Sequence, residues 1–136
     1  AKGARLVHGA VPGASRFVAP IVLAEVTAAM AIWREEIFGP VVAIRAVADE
    51  AAAVAAANDT DAGLCAYGMT RDRGRARRVV RQLAVGMVGV NEGLISTAQA
   101  PFGGVKASGY GREGSRHGLD DYLDYQYVMT TALDTP

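Results

Sequence analysis

Glu36 and Phe38 are the residues of the first half of the chain best suited to binding chemistry. A carboxylate and an aromatic ring lie two residues apart, just before Gly39-Pro40, where the chain turns into the apolar run Val41–Val47. The carboxylate can accept hydrogen bonds from ribose hydroxyls, and the ring can pack on an apolar ligand face. A core phenylalanine beside an exposed glutamate explains the two residues equally well, so both interpretations stay open.

Ser96 and Phe102 are the corresponding pair in the second half. They lie in Asn91–Gly111, an aperiodic segment of Gly, Pro, Ser and Thr between apolar residues. A connection of that length inside a compact domain is usually functional. Ser96 can be a turn residue, or its hydroxyl can donate to an oxyanion. Phe102 can equally be a hydrophobic plug beneath the loop.

Two glycine-rich patterns resemble phosphate-binding loops without matching them. Gly109–Gly114 has the GxGxxG spacing, but a long loop precedes it and too few residues follow for a strand–helix–strand unit. Gly103–Ser108 lacks a glycine before Lys106. We expect these glycines to serve the backbone, through positive φ or close approach to another segment or ligand.

Cys65 could be a nucleophile only with a base beside it. With His117 in that role, the chain would be a small cysteine hydrolase whose thiol alkylates quickly at neutral pH. Cys65 lies between Leu64 and Ala66 in an apolar run, where cysteine behaves as a small hydrophobe. His8 and His117 have no partner at metal-ligand spacing, so no metal site is predicted.

The elements that must position these residues alternate between strands and helices. Helices are predicted over Ala51–Asn58 after an Asp49 cap, and after an Asp72 cap with Gly86 as its C′ residue. A helical turn within Thr27–Arg34 and short helical pieces within Glu113–Leu123 are further candidates. Strands are predicted at Leu6–Val7, Phe17–Leu23, Val41–Val47, Leu64–Met69, Met87–Val90 and Tyr125–Thr131.

This alternation is typical of an α/β fold with a largely parallel sheet and flanking helices. The apolar run Val41–Val47 predicts a strand buried on both faces. The terminal strand Tyr125–Thr131 either pairs with its own sheet or extends into a neighbouring subunit.

Composition excludes several classes of partner. The 136 residues carry 14 basic and 14 acidic side chains, so no global field favours nucleic acid or an anionic membrane. Ala51–Ala57, the longest nearly uncharged stretch, is too short to span a bilayer. The single cysteine suits a reducing compartment, and we expect a cytoplasmic protein. Arginines crowd residues 71–81 without stacking aromatics, so a solvated helix face is favoured over nucleic-acid binding.

Three blocks of residues, at Glu35–Val41, Asn91–Ser96 and Pro101–Glu113, are longer and more specific than packing or turns require. Together they resemble the C-terminal part of an aldehyde dehydrogenase, and within that family they are most similar to the succinate-semialdehyde branch. The resemblance runs from about Ala1 to Thr131 and covers the last quarter or so of a family enzyme. It implies that residues 1–118 are the C-terminal part of a catalytic domain and that residues 119–136 form a tail with an oligomerisation strand.

The resemblance also implies a role for each candidate side chain. Glu36 would hold the nicotinamide ribose of NAD or NADP, and Phe38 would pack beside the nicotinamide ring. Ser96 would help bind the distal carboxylate of the substrate, and Phe102 would line the substrate tunnel. The implied reaction is NAD(P)-dependent oxidation of succinate semialdehyde or a similar ω-carboxylated aldehyde. Relatives that act on glutarate semialdehyde share much of the pattern.

The chemistry of the family needs residues that cannot be matched in this chain. A thiolate attacks the aldehyde, a hydride leaves for NAD(P)⁺, and a glutamate activates water. Because none of these residues nor the oxyanion-stabilising asparagine is present, we expect the chain alone to be inactive and to function within a homo-oligomeric enzyme, a dimer or tetramer. The alternative is a free-standing, non-catalytic assembly module derived from the family, with no affinity for the cofactor.

Overall fold

The computed structural model describes residues 3–11 and 13–132. The chain divides into two compact units, Ala1–Thr60 and Asp61–Pro136. Residues 1, 2 and 12 of the predicted segment 1–118, and residues 133–136 of the predicted tail, lie outside the described residues. No helix in the described ranges has the length and apolar character needed to cross a membrane.

The first unit is built on a three-stranded sheet in the order β1-β2-β3. Its strands are β1 (Arg5–His8), β2 (Ile21–Ala24) and β3 (Val41–Ala43). The central strand β2 runs antiparallel to β1 and parallel to β3. Because β2 has a neighbour on each side, it supplies two of the buried core residues, Ile21 and Ala24. Val26 and Met30, between β2 and α1, and Val54 of the second helix complete the core of this unit.

Two helices complete the first unit. Helix α1 (Ala31–Arg34) is a single turn, as the sequence allowed, and α2 spans Glu50–Asn58. The Asp49 carboxylate accepts a hydrogen bond from the Ala52 amide at 2.8 Å, which confirms the predicted cap.

The second unit contains a strand–helix–strand arrangement. Strands β4 (Cys65–Gly68) and β5 (Met87–Val90) pair in parallel, and helix α3 (Arg73–Gln82) lies between them in the chain. The Asp72 carboxylate accepts from the amides of Gly74 at 2.7 Å and Arg75 at 3.1 Å. These bonds, with that to Arg75 the larger cause, lower the pKa of Asp72. Two 3₁₀ segments follow, Lys106–Ser108 and Arg116–Tyr122.

The predicted, largely parallel pairing is found in two of the three described strand pairs, β2–β3 and β4–β5, but the strands form two sheets instead of one. The run Val41–Val47 is a strand only to Ala43, and it is not buried on both faces: Val42 is 55% exposed and Ile44 46%. The reason is that β3 is the outer strand of its sheet, so its side chains are covered less than those of β2.

The other differences concern the ends of elements. Helix α3 ends at Gln82 with an extended Leu83, so Gly86 is not its C′ residue. Residues Tyr125–Thr131 form no strand within the described chain, so the alternative in which they join their own sheet is not observed, and their extension into a neighbouring subunit stays a prediction. Tyr125 and Tyr127 are 93% and 84% exposed, because an isolated segment without a strand partner has nothing to pack against.

Candidate functional site

The segment between α1 and β3 is folded by backbone bonds alone. The Gly39 amide donates to the Ile37 carbonyl at 2.9 Å, and the Val41 amide donates to the Gly39 carbonyl at 2.8 Å. The Pro40 carbonyl accepts from the Ile21 amide at 2.9 Å, which ties the segment to β2. Residues 35–40, named the α1–β3 turn below, are therefore held without a side-chain hydrogen bond.

Glu36 and Phe38 lie on this turn with their side chains exposed. The Phe38 ring is 98% exposed, so the interpretation of Phe38 as a core residue is wrong for this chain. Within the described ranges, the Glu36 carboxylate makes no hydrogen bond. A carboxylate that can accept hydrogen bonds and an exposed apolar ring therefore stand two residues apart on the same turn.

The long loop of the second unit begins at the carboxyl end of β5. Asn91 has φ +54°, a left-handed conformation that Asn tolerates better than most residues. Its side-chain amide accepts from the Thr70 amide and donates to the Thr70 carbonyl, both at 2.8 Å. The loop therefore starts from the carboxyl edge of a parallel strand pair, where α/β proteins usually bind ligands.

Two local turns follow, one on each side of Ser96. The Glu92 carboxylate accepts from the amides of Gly93 at 2.8 Å and Leu94 at 2.9 Å. The Thr97 hydroxyl bonds to the Gln99 side chain. Ser96 is exposed between these turns, and its hydroxyl has no partner in the part of the chain that the structure describes.

The loop then pairs with a later segment of the same unit. Phe102 and Glu113 exchange two backbone hydrogen bonds of 2.8 and 2.7 Å in an isolated antiparallel bridge. The Arg112 Nη1 atom donates to the Gly104 carbonyl at 2.8 Å and to the Gly111 carbonyl at 2.6 Å. Phe102 is half-buried, which is compatible both with a plug beneath the loop and with a ring that also faces a ligand.

A surface cavity of about 430 Å³ lies against this pairing. Phe102 contributes to its wall, whereas Ser96 does not. The structure thus places the two residues on one loop without bringing both into one cavity. The other lining residues come mainly from the glycine-rich segment and its neighbours, among them Gly103, Ser108, Arg112, Glu113 and Asp121.

The glycines serve the backbone, as the sequence predicts. Gly109, Gly111 and Gly114 have φ of +116°, +72° and +67°. A Cβ atom on Gly86 would overlap the backbone of Gly103, so two segments approach more closely than any other residue permits. The pattern at Gly109–Gly114 is followed by a 3₁₀ segment rather than an α-helix, which removes the dinucleotide-loop interpretation.

Cys65 and His117 do not form a catalytic pair. Cys65 is half-buried on β4, and its hydrogen bond with Tyr67 raises the pKa of that phenol. The His117 Nδ1 atom lies 3.4 Å from the Asp120 carboxylate. Across the described ranges, no group of three or more His, Cys, Asp or Glu side chains could hold a metal ion.

The sequence analysis missed two residues that build this loop, Asn91 and Arg112. Asn91 follows a strand directly, and an Asn at that position is a signal for a left-handed residue. Arg112 stands in a glycine-rich segment beside Gly111, but no local pattern shows that its guanidinium reaches Gly104.

The comparison with known proteins identifies the family. The model of the aldehyde dehydrogenase family matches residues 1–128. The chain belongs to the aldehyde dehydrogenase family. It is 46% identical to the glutarate-semialdehyde dehydrogenase of Pseudomonas aeruginosa, over 93% of this chain and 27% of the relative. It is 50% identical to the mitochondrial succinate-semialdehyde dehydrogenase of Rattus norvegicus, over 98% of this chain and 26% of the relative.

Solved structures agree with the sequence comparison. The crystal structure of succinate-semialdehyde dehydrogenase from Burkholderia pseudomallei superposes with a TM-score of 0.82 at 51% identity, over 89% of this chain and 26% of that one. Betaine aldehyde dehydrogenase from Staphylococcus aureus, solved in complex with NAD⁺, superposes with a TM-score of 0.82 at 37% identity, over 90% and 26%. The resemblance read from the three motif blocks is thereby confirmed.

The chain spans about a quarter of the length of these aldehyde dehydrogenases. Cofactor names differ among them: the Escherichia coli succinate-semialdehyde dehydrogenase, 47% identical over 93% of this chain and 27% of the relative, is named for NADP(+). The family members are oxidoreductases that act on aldehydes, and the relatives from Pseudomonas aeruginosa, Rattus norvegicus and Escherichia coli are named for semialdehydes.

Proposed function

We propose that this chain supplies the C-terminal part of an NAD(P)-dependent dehydrogenase that oxidises succinate semialdehyde, or a similar ω-carboxylated aldehyde, to the carboxylic acid. The observation that carries the proposal is the exposed, unpartnered Ser96 hydroxyl on a loop held by side-chain bonds. It occurs in a chain that is about half identical to dehydrogenases named for semialdehydes. The chain alone is inactive, because the nucleophile cannot be matched in it.

The α1–β3 turn would contact the cofactor. The Glu36 carboxylate would accept hydrogen bonds from ribose hydroxyls, and the exposed Phe38 ring would pack beside the nicotinamide. NAD or NADP, when bound, supplies the hydride acceptor of the reaction. The support is the exposure of both side chains, which leaves a carboxylate and an apolar face free for a ligand.

The loop of the second unit would contact the substrate. The Ser96 hydroxyl would donate to the distal carboxylate of the aldehyde, together with cationic groups that this chain does not supply. Phe102 would form part of the substrate tunnel, and its half-buried ring at the wall of a cavity supports that role.

The tail, residues 119–136, would join the enzyme into a homo-oligomer, a dimer or tetramer, while residues 1–118 belong to the catalytic domain. Tyr125 is 93% exposed to solvent, Tyr127 84% and Met129 75%. Contiguous apolar exposure of this kind is typical of an interaction surface. We expect the assembled enzyme to work in the cytoplasm.

The substrate assignment is tested by Ser96→Ala in the full-length natural protein that contains these residues. We expect KM for succinate semialdehyde to rise about tenfold, as for a lost hydrogen bond to a charged group, while KM for butanal stays unchanged. Ser96→Thr keeps the hydroxyl and is the matched control. An equal rise for both aldehydes would contradict the role of Ser96 in carboxylate binding.

The cofactor assignment is tested by Glu36→Gln in the same protein. We expect KM for NAD(P)⁺ to rise about tenfold, because a neutral amide accepts ribose hydroxyls less strongly than a carboxylate does. Glu35→Gln changes the neighbouring exposed carboxylate and serves as the control. If the protein oxidises no aldehyde and binds neither cofactor, the non-catalytic assembly module replaces this proposal.

A further inference from the structure

Residues 111–115 bond at three points to the loop that begins at Asn91. We call residues 91–110 the substrate loop, since they carry Ser96 and Phe102. The Ser115 amide donates to the Ala98 carbonyl at 2.9 Å, close in sequence to Ser96. Glu113 pairs with Phe102 through two backbone bonds, and Arg112 reaches Gly104. We name residues 111–115 the loop clamp, since its bonds lie on both sides of Phe102.

Arg112 is the member of the clamp that acts through its side chain. Its half-buried guanidinium donates to the carbonyls of Gly104 and Gly111 at 2.8 and 2.6 Å. A Cβ atom on Gly103 would lie 2.9 Å from the Arg112 Cδ atom, so the stem packs directly on the loop backbone. A charged donor shared by two carbonyls makes a stronger link than a neutral amide would.

The position of Arg112 is itself set by its neighbours. Its backbone amide donates to the Asp121 carboxylate at 3.1 Å. The same carboxylate occupies the place that a Cβ atom on Gly111 would take, and the φ of +72° there also disfavours any residue with a side chain. The backbone at Arg112 is therefore held by Asp121, and the guanidinium of Arg112 in turn bonds to the loop at Gly104.

We propose that Arg112 is a positioning residue for the substrate: it holds residues 102–104, and with them Phe102 and the loop that carries Ser96, in the geometry that binds the carboxylated aldehyde. Arg112 does not contact the aldehyde in this scheme. The inference rests on the proposed function of Ser96 and Phe102, and it adds a residue outside the binding contacts that controls KM.

Arg112→Met in the full-length natural protein tests the inference, since Met keeps an apolar stem and removes every donor. We expect KM for succinate semialdehyde to rise about tenfold, with kcat and KM for NAD(P)⁺ changed less than about twofold. Arg112→Lys retains a donor and should recover part of the loss. Arg116→Met is the matched control, because Arg116 is exposed and its side chain bonds to no other described residue.

Three outcomes would overturn the inference. A lower Tm with unchanged KM in the surviving enzyme would make Arg112 purely structural. An equal rise in the two KM values would show that its effect is not confined to the substrate loop. Unchanged KM values with unchanged Tm would show that the loop does not need its guanidinium.

Hydrogen exchange separates this inference from the proposed function. Arg112→Met should speed exchange of the Phe102 and Glu113 amides at least about tenfold relative to Arg116→Met, even in a protein without dehydrogenase activity. If exchange is faster but the protein oxidises no semialdehyde, the proposed function is wrong, and so is the role of Arg112 in positioning a substrate. Arg112 would then only hold the loop. Unchanged exchange would overturn the clamp itself.

Discussion

The α1–β3 turn and the loop that begins at Asn91 carry the two candidate binding surfaces, and they are held in different ways. The turn uses backbone bonds among its own residues and their neighbours, one of them to α1 and one to β2. The loop uses the side chains of Asn91, Glu92 and Arg112 to satisfy backbone groups. A short connection between two elements leaves few backbone groups to satisfy, whereas a long aperiodic one must recruit side chains.

The glycines of the two regions differ in how closely other atoms approach them. Gly39 in the turn has no atom within 4 Å of the place where a Cβ would stand. Gly86, which packs under the loop, would place its Cβ on the Gly103 backbone. The turn is thus open and adaptable, and the loop is closely packed. The variants of Gly86, Gly39 and Asn91 test that contrast directly, and those of Gly86 and Asn91 have the largest expected effects.

Gly86→Ala should destabilise the protein by about 3 kcal/mol, because the added methyl meets backbone that cannot rotate away. Gly39→Ala is the matched change in the turn and should alter the free energy of unfolding by less than about 1 kcal/mol. Urea denaturation measures both. Equal destabilisation by the two variants would break the contrast between a packed loop and an open turn.

Asn91→Ala should destabilise by about 2 kcal/mol, since two hydrogen bonds to Thr70 are lost and Ala is strained at φ +54°. Asn91→Gly relieves the strain without restoring the bonds, so its cost should be smaller. Thermal unfolding separates the two contributions. If Gly restores full stability, the side-chain bonds do not hold the loop.

Asp72→Asn should make the free energy of unfolding depend less on pH in the acidic range. The amides of Arg75 and Gly74 hold the pKa of Asp72 below its ordinary value of 3.8. The stabilisation is therefore complete above the unfolded-state pKa and is lost as the pH falls through the folded-state pKa. Urea midpoints between pH 2 and pH 6 measure this. A variant with the same acid sensitivity as the parent would contradict the assignment.

Arg34→Met should raise the pKa of Asp59 toward its ordinary value, with little effect on stability. The Arg34 guanidinium lies 2.8 Å from the Asp59 carboxylate, and this bond is the main cause of its lowered pKa. Both side chains are about half exposed, so solvent screens the pair. Carboxyl-carbon NMR titration reads the shift directly. An unchanged pKa of Asp59 in the variant would show that the ion pair does not persist in solution.

The sequence by itself determined several of the local elements and the family. Helix α2 was predicted to within a residue and β5 at its observed bounds, because caps and apolar runs are local signals. The capping of α3 by Asp72 was also local. The three motif blocks were sufficient to identify an aldehyde dehydrogenase.

Only the tertiary structure decided which segments meet. The split into two sheets, the early end of β3 and the reach of Arg112 to Gly104 depend on pairing between residues distant in sequence. The exposure of Phe38 and the partial burial of Phe102 were equally undecided, because either ring suits a core or a ligand. Burial depends on what packs against a side chain, and residue type and spacing alone do not specify that neighbour.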